Sequence, residues 1–144
     1  MKTILKPSFL LIIFILCTTS CKKKSPAPDY PEFMGTWSGS TSQSQIIRIS
    51  VDNISGTLYV TSIKVILFFD SGGQQTIEQY NTQGLAAVTN RYFKLSLGTG
   101  VYGPAYIDGT FDLTTMTVTG TFKAYNPSNP NDFTSGTFVG SKIS

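Results

Sequence analysis

Histidine is absent from all 144 residues, and cysteine occurs only at Cys17 and Cys21. The missing imidazole removes the commonest general base and the commonest metal ligand. With both thiols at the N-terminal end, the rest of the chain has neither a disulfide framework nor a thiol nucleophile. Charge is also scarce, with 11 Lys and Arg against 8 Asp and Glu. The basic excess belongs to Lys2, Lys6, Lys22, Lys23 and Lys24. From Phe33 onward Arg48, Lys64, Arg91, Lys94, Lys123 and Lys142 are balanced by Asp52, Asp70, Glu78, Asp108, Asp112 and Asp132. A basic footprint for nucleic acid is therefore missing.

Two motifs suggest chemistry and fail on spacing. Gly98-Thr99-Gly100-Val101-Tyr102-Gly103 has the form G-x-G-x-x-G, but Pro104 and an alternating strand follow where a dinucleotide site needs a helix. Asp108 and Asp112 share one strand face, about 13 Å apart in an extended chain, too far for paired carboxylate catalysis. The Asn126 to Asp132 run reads as an Asx/Pro turn and lacks the charge of a calcium loop. The reading is a protein that is not an enzyme, with no metal and no cofactor.

What is present begins with a nine-residue apolar run, Phe9 to Cys17, behind Lys2 and Lys6. A bilayer span takes about 20 such residues, so the run fits the apolar core of a signal peptide. Thr18-Thr19-Ser20-Cys21 follows, and small residues suit a signal peptidase. This resembles the bacterial lipobox, in which a small residue precedes an invariant cysteine. The resemblance implies a signal over residues 1–20 and a lipidated Cys21 as the first mature residue. Thr18 departs from the leucine usual three positions before the cysteine. An ordinary secretory signal cut near Ser20, or an uncleaved anchor, are the alternatives.

Residues 21–32 read as a tether. Lys22, Lys23 and Lys24 suit anionic headgroups or serve as a solubilising charge run. Pro26, Pro28 and Pro31 favour an extended spacer of about 3.1 Å per residue. The resemblance, with Lys22 and not Asp after the cysteine, implies anchoring in the cell envelope at the outer membrane.

Residues 33–144 read as one all-β domain of about 8–9 antiparallel strands. The clearest pattern is Ala105 to Tyr125, where apolar residues and threonines alternate on either side of a turn near Leu113 to Met116. Val65 to Phe69 is apolar on both faces, so its outer side is either covered or an association surface. Gly-Thr-aromatic recurs at Gly35, Gly109, Gly120 and Gly136, and each glycine leaves room for a neighbouring ring in a curved sheet. Short connections predict a meander curled into a closed or nearly closed barrel; a β-sandwich is the alternative.

Gly35-Thr36-Trp37 resembles the Gly-x-Trp opening of lipocalins and the start of avidin-like barrels, which hold ligands in the lumen. The later lipocalin Thr-Asp-Tyr motif and the arginine that packs on the tryptophan are missing. The resemblance implies a lipocalin-like lipoprotein binding a small apolar or amphipathic ligand, with Trp37, Tyr102 and Tyr106 as ligand or lid residues. The bland reading of Trp37 is core, and that of the tyrosines is ordinary strand residues. The competing function is an envelope lipoprotein that binds another protein through its surface.

Overall fold

The computed structural model describes residues 30–98 and 104–144. A single helical turn, α1 (Tyr30–Phe33), leads into nine strands: β1 (Gly35–Thr41), β2 (Ile46–Ile54), β3 (Thr57–Phe68), β4 (Gln74–Tyr80), β5 (Ala86–Ala87), β6 (Tyr92–Leu97), β7 (Ala105–Asp112), β8 (Thr117–Asn126) and β9 (Asn129–Lys142). All pairings are antiparallel, in one strongly curled sheet of order β4-β3-β2-β1-β9-β8-β7-β6. The architecture is an all-β, open barrel-like meander.

Strands adjacent in sequence are adjacent in space, and β1 meets β9 to join the two ends. Thr36 donates to the Ser144 carbonyl and Ile143 to the Thr36 carbonyl, extending that join to the C-terminus. The break falls mid-chain, between β4 and β6. There β5 leaves the path and pairs with β3 through Tyr59–Ala87 and Val60–Ala86. The twelve-residue β3 therefore serves two partners, β4 along Ser62 to Phe68 and β5 near its start. A single Thr89–Tyr92 bridge then turns β5 into β6.

Stagger is visible in the register. The lateral row Ile77, Val65, Ile47, Gly39, Gly140, Val118, Phe111 runs from β4 to β7 and ends beside Arg91, whose carbonyl accepts from the Phe111 amide. Across the seam, however, β4 lies beside Leu97 and Gly98, further along the chain. Such an offset accompanies the strand tilt of a curling sheet.

The concave face forms one apolar core. Trp37, Phe93, Phe111, Ile47, Ile49, Ile63, Leu67, Leu95 and Ile107 are almost fully buried in it. The glycine recurrence explains how the rings fit. Phe93 lies opposite Gly109, Phe138 opposite Gly120, and Phe122 opposite Gly136. At each glycine an added Cβ would come within 2.7 Å or less of the opposing ring. Cross-strand Phe–Gly pairs thus fill the interior while letting strands curl tightly.

One stretch differs from expectation. Asn126 to Asp132 is mostly strand: only Pro127 and Ser128 turn, and β9 starts at Asn129. Pro130 is accommodated because the register shifts beside Tyr125 and Asn126, and a bulge asks for no ladder donor there. The turn after β7 falls at Leu113 to Met116, as the alternation implies, with Met116 at a φ of 52°.

Candidate functional site

The residues singled out in sequence do not converge. Trp37 is 0% exposed. Its indole N–H donates to the Phe33 carbonyl at 3.1 Å, and its ring lies 4.8 Å from that of Phe111. It is a core residue. Tyr106 is 40% exposed on the convex face and pairs across strands with Lys123. The two aromatics therefore lie on opposite sides of the sheet. Cys21, Lys22, Lys23, Lys24 and Tyr102 fall outside the described residues. Asp108 and Asp112 are both on the convex side, where Asp108 accepts from Thr121 and Asp112 from the Thr114 amide. The hydrogen bond donated by the Thr114 backbone N–H holds the Asp112 carboxyl below the ordinary range.

The more telling geometry lies where the chain enters the domain. This pole carries α1, the C-terminus and the turns after β2, β5 and β7. Phe33 is buried against Phe111 with an edge-on ring contact at 6.0 Å. Beside it opens a cleft of about 530 Å³, within the size range of small-molecule sites. Phe33, Leu58, Val88 and Leu113 form its apolar walls, and Glu32, Thr89, Asn90 and Arg91 contribute to its polar lining.

The lip of this cleft is conformationally unusual. Asn90 and Arg91 join Thr89 to Tyr92 in a tight hairpin with φ of 51° and 67°. Positive φ at both central positions marks a type I′ turn, whose preferred sequence is Asn-Gly. Asn suits the first position. Arginine occupies the second, where a side chain is strained and glycine would be relaxed. Among the described residues Arg91 makes no ion pair, and its side chain is exposed. Strained non-glycine residues cluster at functional sites, where something other than folding retains them.

No family model, curated protein or solved structure matches this chain. The cleft offers apolar walls, the Arg91 guanidinium and the Glu32 carboxylate, with no ion pair at either charge among the described residues; among the described residues no metal-ligating cluster accompanies it. Sequence reasoning missed the cleft because β5 is only two residues long and its pairing with β3 is non-local. The one local signal was Asn90-Arg91, a turn dipeptide with arginine where glycine belongs.

Proposed function

We propose that this chain is a lipid-anchored protein of the bacterial envelope, attached through Cys21, and that its domain binds an amphipathic anion in the cleft beside Phe33. Arg91 carries the reading. A guanidinium held in a strained turn at the rim of an apolar cleft suits a carboxylate or phosphate head, with Phe33, Leu58, Val88 and Leu113 receiving the apolar part. The filled interior, occupied by Trp37, Phe93 and Phe111, supports reading the cleft and not a lumen as the binding site.

The cleft lies at the pole where the tether arrives. The nine residues 21–29 that precede α1 would span roughly 30 Å if extended, so the cleft stays close to the membrane. Lys22, Lys23 and Lys24 add attraction to anionic headgroups of about 1 kcal/mol each. The test uses the chain from Cys21 onward with Cys21→Ser, titrated with a fluorescent long-chain fatty acid and its uncharged alcohol. Saturable binding of the acid, weakened by Arg91→Gly, supports the proposal. Equal binding of acid and alcohol, or no saturation, contradicts it. In cells, Cys21→Ser should move the protein from the membrane pellet to the soluble fraction.

A protein-binding role is the second reading, favoured by one observation. Val65, Leu67 and Phe69 point into the core, whereas Phe68 is 41% and Ile46 64% exposed on the convex side. Ile46 and Ile66 border a groove of about 330 Å³ there. Loss of an envelope partner on Ile46→Lys, with fatty-acid binding intact, would favour it.

A further inference from the structure

We propose a second binding site, for an uncharged oligosaccharide, at the pole opposite the tether. On the convex face Tyr106, Lys123, Tyr125 and Phe133 come together through the pairs Tyr106–Lys123 and Tyr125–Phe133. The Lys123 ammonium sits 4.8 Å from the Tyr125 ring centroid and 4.6 Å from that of Phe133. The two rings are 6.0 Å apart and inclined by 45°. Cation–π attraction holds the rings in place, so the platform is ordered before any ligand arrives. Phe133 nevertheless remains 50% exposed.

Phe133 also lines a cleft of about 380 Å³ together with Gln43, Asp70, Asn131 and Asp132. Its floor is fixed. Gln43 bridges strands by donating to the Phe68 carbonyl and Thr134 hydroxyl while accepting from the Phe68 amide. Asp132 accepts from Ser71 and Asn126, both on Oδ2. Among the described residues its Oδ1, the Asp70 carboxylate and the Asn131 side-chain amide carry no hydrogen bond within the protein.

A sugar ring presents apolar C–H faces and a rim of hydroxyls. An exposed ring next to planar carboxylates and amides matches both parts: the face stacks, and the hydroxyls donate to Asp and bond with Asn. Asp70 and Asp132 in the cleft outnumber the single Lys123 ammonium, which lies over the two rings, so like-charge repulsion disfavours uronic or sialic acids. The neutral class is thereby selected, hexose or N-acetylhexosamine.

The chain from Cys21 onward with Cys21→Ser, which contains every described residue, would be titrated with N-acetylglucosamine tetramer, maltotetraose and tetragalacturonate. Calorimetry would read affinity, and amide chemical shifts would map the contact. Saturable binding of a neutral tetramer with shifts at Asn131 and Phe133 is expected, as is a loss of roughly tenfold on Phe133→Ala. Phe133→Tyr should keep binding, which separates loss of stacking from loss of fold. Tyr80→Ala, an exposed tyrosine elsewhere, should leave affinity unchanged, and tetragalacturonate should bind at least about tenfold more weakly. No saturation by either neutral tetramer up to about 10 mM, or binding indifferent to Phe133→Ala, would overturn the proposal.

Discussion

Phe138 lies directly across the ladder from Gly120, and its ring occupies the space that a side chain at Gly120 would need. Gly109, the cross-strand partner of Gly120, is filled in turn by Phe93 from the other side. One lateral row thus reads Phe93, Gly109, Gly120, Phe138. Four strands share two rings and two gaps, which is how the concave face is packed solid.

The surroundings of these glycines differ, and so should the response to alanine. At Gly109 the atoms nearest to a Cβ all belong to rings, those of Phe93 and Phe138. At Gly120 it would also collide with the Asp108 carbonyl, which is backbone. Both changes should destabilise by about 1–3 kcal/mol. Phe93→Leu should recover part of the loss for Gly109→Ala, while Phe138→Leu should recover little for Gly120→Ala. Urea unfolding of the single and double variants checks this; equal rescue at both sites would contradict the packing described.

Phe33 and Trp37 tie the tether to the core. Beginning the chain at Gly35 removes the Phe33 ring from Phe111 and the carbonyl that accepts the Trp37 indole N–H. The expected cost is about 3–5 kcal/mol, that of deleting a buried Phe. It is read as a lower urea midpoint with a red shift in the emission of Trp37, the sole tryptophan. A truncated chain as stable as one beginning at Cys21 would show that α1 is only a spacer.

Asp132 makes a pH-dependent contact at the far pole. Hydrogen bonds from Ser71 and then Asn126 lower its pKa below 3.8. A depressed carboxylate contributes stability above its unfolded pKa, and that contribution fades as pH falls through the lower folded value. The window therefore lies on the acid side of 3.8. Ser71→Ala should raise the midpoint of the Asp132 carboxyl carbon in an NMR titration; an unchanged midpoint would mean the hydroxyl does not hold it.

Much of the fold was legible because one face is dry. In Ala105 to Asp112 burial alternates residue by residue as the apolar pattern requires, and the Gly-Thr-aromatic recurrence marked the ring-and-gap pairs. Most of the strands follow from the same alternation, but β5, two residues long, does not. The place where the barrel stays open was not legible. It depends on β3 being long enough to take both β4 and β5, a non-local outcome with no local period. Likewise Asn126 to Asp132 looks like a turn because Pro and Asn dominate it, yet a bulge lets most of it stay in the sheet. Of the candidate site residues, Trp37 was legible as core from its place in the recurrence. Arg91 was not, since the case for it comes from a backbone conformation and from its sharing a cleft with Phe33 and Leu58.

The turn at Arg91 should be more stable without its arginine. Replacing a strained residue by glycine at positive φ relieves the αL penalty of about 1 kcal/mol, so Arg91→Gly should raise the urea midpoint. A lower midpoint would mean that the side chain supports the fold and would remove the case for a retained functional strain.

The most direct test of the account combines that stability with binding. The Arg91→Gly variant and its parent, both carrying Cys21→Ser, would be titrated side by side with the fluorescent fatty acid. The account predicts a variant that folds at least as well and binds the acid at least about fivefold more weakly, the loss of one charge-assisted contact worth about 1 kcal/mol or more. Undiminished binding by a stably folded Arg91→Gly variant would contradict it.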